Sequence, residues 1–220
     1  MKINDLKTRL LTSVFLIFLL YFSFNYSFIL IISLILISLI SWIEFQGLIT
    51  KIFIKNNFKS SFLKIIIKGV SLLYLIIFSI MVFSGIFQDN FKFGILFLVS
   101  VCICSDIGGL LFGNFFKGKK LTKISPKKTI SGSLGSFIFS LFLIPFFFKD
   151  LLSHEFLLLF LITIIISLFS QMGDLFISFL KRRAKVKDTS NLLPGHGGIL
   201  DRIDGIIFAI PTGFFLLNYF

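Results

Sequence analysis

The sequence predicts an all-α polytopic membrane protein with about seven transmembrane helices, an N-terminus in the cytoplasm and a C-terminus outside. Of its 220 residues, 56% are hydrophobic, whereas a soluble domain has roughly 45–50%. Whole stretches are apolar on every face, and several approach the ~20 residues that a helix needs to cross a bilayer. The bases are concentrated in alternate loops, which is the pattern that sets membrane topology.

Seven apolar segments account for the predicted helices. They cover about residues 10–24, 28–43, 65–87, 93–113, 131–148, 156–178 and 204–220. The first segment is short, and Asn25 would let the first two form a tight hairpin. The basic N-terminus followed by an apolar run resembles a signal peptide, but no small-residue cleavage site follows, so we predict an uncleaved helix.

The distribution of the bases orients these helices. With a cytoplasmic N-terminus, the four inner segments carry three, four, six and six bases, whereas the outer loops hold only Lys92 and Lys149. This asymmetry agrees with the positive-inside rule. The net charge of +12 therefore reflects topology. We expect no nucleic-acid partner, because the bases are divided among membrane loops.

Two regions are predicted, and neither is a soluble domain, because the longest polar segments are too short to bury a core. Residues 1–92 would form N-terminal transmembrane helices, a scaffold that could provide oligomer contacts. Residues 93–220 would form the candidate catalytic region, with cytoplasmic loops at 114–130 and 179–203.

The positions of the acids indicate where a site lies. Six of the ten lie at or near the cytoplasmic end of a predicted helix or in the last inner loop: Glu44, Asp106, Asp174, Asp188, Asp201 and Asp204. Ionisable residues within membrane segments are costly and usually functional. Their clustering on one side therefore predicts a single site at the inner membrane interface. The plainer alternative is that these helix ends simply meet water.

Asp174 and the pair formed by Asp201 and Asp204 are the strongest candidates for cation ligands. Asp174 is surrounded by apolar residues, so its charge requires a partner: a metal ion, a substrate, or a base in a structural ion pair. Gly173 beside it permits the close approach of another backbone. Asp201 and Asp204 are three residues apart and would share one helix face. Two like charges there repel each other unless a cation lies between them.

The first large basic loop offers groups that suit phosphate oxygens. Ser125 and Pro126 open a turn or a helix, Lys127 and Lys128 supply point charges, and Thr129 supplies a hydroxyl. A plainer interpretation is that this loop only contacts anionic lipid.

The second loop contains His196 in a Pro-Gly-His-Gly-Gly segment. The glycines allow positive φ and let backbone N–H groups approach a ligand. The chemistry of a lone histidine fits three roles equally: a base, a hydrogen-bond donor to phosphate, or a turn residue.

These elements together resemble the phosphatidate cytidylyltransferase family, also called CDP-diacylglycerol synthases. The family's C-terminal signature is filled without a gap by Ser178, Lys181, Arg182, Lys187, Asp188, Pro194, His196, Gly197, Gly198, Asp201, Arg202 and Asp204. The segments at 171–174, 105–106 and 125–132 resemble three further family elements. So long a polar pattern is highly specific. The likeness extends over about residues 100–208, and the N-terminal helices match only in character.

The resemblance implies that CTP and phosphatidic acid react to give CDP-diacylglycerol and pyrophosphate, with Mg²⁺ as cofactor and a second metal ion as an option. The catalytic residues would be Asp174, Asp188, His196, Asp201 and Asp204. The metal ligands would be Asp174, Asp201 and Asp204. The substrate contacts would be Asp106, Ser125, Lys127, Lys128, Thr129, Ser178, Lys181, Arg182, Lys187 and Arg202. We further expect a homodimer in the inner membrane, in contact with membrane lipid, whose active site faces the cytoplasm.

Two other classes of protein compete with this interpretation. A lipid-alcohol kinase that uses CTP would share the architecture, but the complete C-terminal signature argues against it. A transporter also uses intramembrane acids, yet these should lie near the midplane and between repeats. Here the acids cluster at one side, and no repeat is visible.

Overall fold

The computed structural model describes residues 3–53, 58–87, 91–122, 124–126, 128–151, 155–193 and 197–219. Within these ranges the regular elements are all α-helices, as predicted. They are α1 (Ile3–Asn25), α2 (Ser27–Ile52), α3 (Phe58–Phe87), α4 (Lys92–Phe116), α5 (Ile130–Leu141), α6 (Ile144–Leu151), α7 (Phe156–Arg183) and α8 (Leu200–Tyr219).

Five stretches within the described ranges are long and apolar enough to cross a membrane: α2, α3 from Ser61, α4, the segment Ile130–Lys149 and α7. This confirms a polytopic helical protein, while the count of seven spans and the orientation of the termini stay predictions. The first predicted span has only the shorter apolar segment Val14–Asn25. The last span coincides with α8, which begins with the charged residues Asp201, Arg202 and Asp204 and contains Pro211.

Most of the helices extend further than the predicted segments, and two of these extensions carry site residues. The second predicted segment ends at residue 43, but α2 continues to Ile52 and therefore includes Glu44. The sixth ends at residue 178, but α7 continues to Arg183 and includes Lys181 in its last turn. In both cases the helix continues beyond its apolar stretch into polar residues, so that functional side chains are presented from helical backbone.

The chain forms two compact units. The first comprises residues 1–83 and 180–203, and the second comprises residues 84–179 and 204–220. The predicted division at residue 92 concerned function, and it stays a prediction.

In the first unit, α1 and α2 form the predicted hairpin. Asn25 ends α1, and its side-chain amide donates to the carbonyl of Tyr21 at 2.8 Å. The hydroxyls of Ser23 and Ser33 lie 3.2 Å apart across the two helices. Further along, Ser38 and Ser79 make a 2.7 Å hydroxyl contact between α2 and α3.

In the second unit, α4 and α5 pack through glycines. A Cβ atom at Gly108 would overlap the carbonyl oxygen of Gly135, so the two backbones nearly touch. Ser136 donates to the carbonyl of Ser105 at 2.7 Å, and the Ser105 and Ser167 hydroxyls, 3.0 Å apart, connect α4 to α7. Lipid provides no hydrophobic drive for helix association, so small residues and interhelical hydrogen bonds hold such a bundle together. The glycines of α4 and α5 therefore allow these two helices to pack closely.

Candidate active site

The loop between α7 and α8 is the most polar segment of the first unit. Helix α7 ends where Lys185 adopts a left-handed φ of 56° and Val186 donates its N–H to the carbonyl of Lys181 at 3.0 Å. Leu193 and Gly197 then exchange two backbone hydrogen bonds, of 2.8 and 3.1 Å. These bonds hold Leu193 and Gly197 together. Pro194, Gly195 and His196 lie outside the described residues, so the role of His196 stays open.

Asp201, in the first turn of α8, is the centre of a hydrogen-bonded cluster. Its Oδ1 atom accepts from the Lys181 ammonium group at 2.6 Å. Its Oδ2 atom accepts from the N–H of Thr189 at 2.8 Å, the hydroxyl of Thr189 at 2.9 Å and the N–H of Gly198 at 3.1 Å. Only 6% of the Asp201 side chain and 14% of the Lys181 side chain are exposed. This ion pair is therefore largely shielded from water.

The charge of Asp201 is stabilised by these donors. Burial raises the pKa of this carboxyl, but the hydrogen bonds from Lys181 and from the N–H groups of Thr189 and Gly198 outweigh it. The pKa of Asp201 consequently lies below its usual value, since hydrogen bonds and a nearby base favour the charged form.

Glu44 completes this cluster from α2. It is 5% exposed, and four donor atoms lie within hydrogen-bond distance of its two oxygens. One of them, the Thr189 hydroxyl, has a single proton that Glu44 shares with Asp201. The donors are the hydroxyls of Thr189 (2.8 Å) and Ser190 (2.6 Å) and the N–H groups of Ile199 (3.1 Å) and Leu200 (2.9 Å). The sequence pointed to Glu44 only as one of six acids clustered near the predicted cytoplasmic helix ends. The one indication of its role was that this acid follows a long apolar run, just beyond the predicted end of the second helix.

Two of the loop's three glycines, Gly197 and Gly198, make room for these side chains. Gly197 has a φ of +86°, as predicted for this segment, and a Cβ there would lie 2.9 Å from Asp201 Oδ2 and 3.4 Å from Asp188 Cβ. A Cβ at Gly198 would overlap the Thr189 hydroxyl and both Glu44 carboxylate oxygens. Any other residue at Gly198 would therefore displace the cluster.

Asp174 lies in the second unit and is paired with a base. Its Oδ2 atom forms an ion pair with Lys128, and its Oδ1 atom accepts from Ser178 at 3.3 Å. Both charged side chains are between a quarter and a third exposed, so either could also meet a ligand. Of the alternatives for Asp174, the ion pair with a base is confirmed, and a metal or substrate role stays a prediction.

The loop before α5 holds Lys128 in place. Leu121 and Lys128 share a 2.8 Å backbone hydrogen bond, and Ile130 donates to the carbonyl of Lys119 at 2.9 Å. Ser125 opens a turn, because its carbonyl accepts from the N–H of Lys128 at 3.0 Å.

Thr129 caps α5. Its hydroxyl accepts from the N–H of Gly132 at 3.1 Å, as is usual for an N-cap residue. The predicted hydroxyl ligand is thus already engaged in the fold. Lys127 lies outside the described residues.

Helices α7 and α8 cross at Gly173. A Cβ at this position would overlap the carbonyl oxygen of Asp204, so the predicted close approach of another backbone is confirmed. The crossing places Asp204 beside the residue that precedes Asp174. The side chain of Asp204 accepts from the N–H of Gly205 at 2.9 Å.

The remaining predicted site residues are exposed. They are Asp106 on α4, Arg182 at the end of α7, Lys187 and Asp188 in the following loop, and Arg202 on α8. Their exposure suits residues that contact a ligand, and their predicted roles stay predictions.

The described residues contain no group of three or more His, Cys, Asp or Glu side chains placed to hold a metal ion. The predicted three-aspartate site and the binding of magnesium both stay predictions. A carboxylate has about four acceptor positions, and four donor atoms already lie within hydrogen-bond distance of Asp201. A metal ion at Asp201 would have to displace one of these donors.

Comparison with known proteins shows which family this chain is similar to. The sequence pattern of the cytidylyltransferase family matches residues 1–220. A phosphatidate cytidylyltransferase of Bacillus subtilis (strain 168) is 40% identical over 134 residues, which are 59% of this chain and 50% of that protein. One of Staphylococcus haemolyticus (strain JCSC1435) is 46% identical over 120 residues, or 53% and 46% of the two chains. One of Helicobacter pylori (strain J99 / ATCC 700824) is 36% identical over 135 residues, or 61% and 51%. The chain spans about half the length of the curated relatives it matches.

Proposed function

The chain belongs to the cytidylyltransferase family, and we propose that it transfers a cytidylyl group from CTP to phosphatidic acid, giving CDP-diacylglycerol and pyrophosphate. The observation that carries the proposal is the family match over the whole chain. The names of relatives with 36–46% identity support the choice of substrates.

The chemistry needs no protein nucleophile. An oxygen of the lipid phosphate, already anionic, attacks the α-phosphorus of CTP, and the bond from that phosphorus to the β-phosphate bridging oxygen breaks. Pyrophosphate leaves with the electron pair. The difficulty lies in bringing two polyanions together, so positioning and electrostatic stabilisation are what the protein must supply.

Lys128 and Lys181 are suited to that work. Each is held by a carboxylate, Lys128 by Asp174 and Lys181 by Asp201. An ammonium group has three N–H donors. Each lysine can therefore keep its carboxylate and still donate to phosphate oxygens. Arg182, Lys187 and Arg202 would add exposed cations, and His196 a further contact to a phosphate or the leaving group.

The residues present fit a magnesium ion with few protein ligands. Mg²⁺ prefers oxygen ligands and is often held by one or two carboxylates together with substrate phosphates. Asp174 and Asp204, at the α7–α8 crossing, are the proposed carboxylates. Asp201 would be a third ligand only if it gave up a hydrogen bond, and Asp188 is a further candidate. When bound, Mg²⁺ neutralises charge on the triphosphate and on the departing pyrophosphate.

The setting of this reaction is the lipid bilayer. Several apolar helices and the bacterial relatives support a multi-pass membrane protein. We place it in the inner membrane with its site towards the cytoplasm, where the positive-inside rule puts the basic loops and where CTP is available. A homodimer stays a prediction, which cross-linking in intact membranes would test.

Labelled CTP tests the proposal. Purified protein in vesicles that contain phosphatidic acid should transfer the label of α-labelled CTP to lipid and release the label of γ-labelled CTP as pyrophosphate. Vesicles that contain diacylglycerol in place of phosphatidic acid are the matched control. Transfer of the γ-label to lipid would instead identify a lipid kinase.

A further inference from the structure

Glu44 is a buried acid. The hydrogen bonds that stabilise its carboxylate come from backbone N–H and hydroxyl groups. Each of its two oxygens accepts one hydroxyl and one backbone N–H. Burial of a carboxylate is costly unless hydrogen bonds replace its water. Here four donors, at 2.6 to 3.1 Å, do so.

The backbone donors belong to the start of α8. Leu200 is the first residue of that helix, and Ile199 precedes it. The first N–H groups of a helix have no partner within the helix. The positive end of the helix dipole also favours an acid there. Glu44 therefore holds α8 at the turn that carries Asp201.

Thr189 connects Glu44 to Asp201. Its hydroxyl lies 2.8 Å from Glu44 Oε2 and 2.9 Å from Asp201 Oδ2, and its N–H donates to Asp201 Oδ2 at 2.8 Å. One threonine thus touches both acids, and the position of Asp201 in turn determines the position of Lys181.

We propose that Glu44 is a positioning residue of the transferase: from α2 it orients Thr189, the start of α8, and through them Asp201 and Lys181. Glu44 does not touch substrate, because its side chain is buried and its acceptor positions are filled. This inference rests on the proposed function, since it concerns the geometry that the reaction needs.

Glu44→Gln is the primary test because it keeps the shape of the side chain. An amide nitrogen cannot accept a hydrogen bond, so one backbone N–H of the α8 start would face another donor. The neighbouring hydroxyl would have to turn and accept from the amide. Thr189→Val and Thr189→Ser form a second, milder pair, in which only serine keeps the hydroxyl. Ser41→Ala is the matched control: Ser41 is on the same helix, fully buried, and its hydroxyl finds no partner among the described residues.

We expect Glu44→Gln and Thr189→Val to lower kcat by at least about tenfold, equivalent to ~1.4 kcal/mol of lost transition-state stabilisation, with a smaller change in the KM for CTP. Thr189→Ser should restore most of the activity, and Ser41→Ala should keep it. The double variant Glu44→Gln/Thr189→Val should have a kcat that falls by less than the product of the two single decreases, because both changes disrupt one network. Hydrogen exchange at the amides of Ile199 and Leu200 should become faster in Glu44→Gln.

Each outcome bears on a separate claim. Wild-type protein that transfers no α-label would overturn the proposed function, and hydrogen exchange would still report whether Glu44 holds the loop. Active wild-type protein with an equally active Glu44→Gln variant would overturn the positioning role. If Glu44→Gln does not fold, an equal kcat of Thr189→Val and wild type would overturn it just as well.

Discussion

The ion pair between Lys181 and Asp201 should be essential to both stability and turnover. Asp201→Asn removes the negative charge and leaves the Lys181 ammonium buried without its counter-ion. Breaking a buried pair by removing one partner typically costs ~3–5 kcal/mol. Asparagine keeps one acceptor oxygen, so we expect the lower end, ~3 kcal/mol. For a chain of this size that loss corresponds to a decrease in Tm of ~6–12 °C.

Thermal unfolding in detergent and the labelled-CTP assay measure the two effects. Below its Tm, Asp201→Asn should remain folded and transfer no label. Glu155→Gln, which removes one exposed acid just before α7, is the matched control and should change neither quantity. An Asp201→Asn variant with the wild-type Tm and near-normal turnover would refute the reasoning.

The same comparison has a defined dependence on pH. The pKa of Asp201 is lowered in the folded state by its donors, despite burial. The stabilisation is therefore fully present above the unfolded pKa of ~3.9 and is lost as the pH falls through the lower, folded value. The difference in Tm between wild type and Asp201→Asn should consequently shrink only below about pH 4.

Two further predictions concern the α7–α8 crossing and the metal. Gly173→Leu should abolish turnover and Gly173→Ala should weaken it, because any Cβ would overlap the Asp204 carbonyl oxygen at this crossing. Gly69→Ala on α3, where no atom lies within 4 Å of the added Cβ, is the control for both variants, and a fully active Gly173→Leu would contradict the crossing. Exhaustive chelation should remove the transferase activity, and added Mg²⁺ should restore it; undiminished transfer after chelation would exclude magnesium from the mechanism.

The helices were the most predictable part of the fold. Within the described residues, six of the seven apolar segments coincide with a single helix, because a continuous apolar run has few alternatives in a bilayer. The fifth, predicted as one helix, is divided between α5 and α6. Their ends were less predictable. Helix α2 continues past residue 43 through Glu44 and Gln46, since backbone hydrogen bonds extend a helix regardless of where its apolar face ends.

The site was predictable where the argument concerned one side chain and its need for a partner. An ion pair with a base was one of the three alternatives for Asp174, and Lys128 provides it. The role of Gly173 followed from its size alone. The cluster around Asp201 did not follow in this way, because two of its donors are backbone N–H groups. A sequence pattern does not show which way an N–H in a loop points.

Glu44 was missed for a related reason. Its partners lie about 145 residues away in the sequence, and nothing in the residues around Glu44 indicates a contact at that distance. The distance between the contacting segments has a consequence during synthesis. At translation rates of roughly 5–20 residues per second, the ribosome needs about 7–30 s to deliver the segment that satisfies this acid. Throughout that interval, Glu44 has none of the four donors that surround its carboxylate in the folded chain.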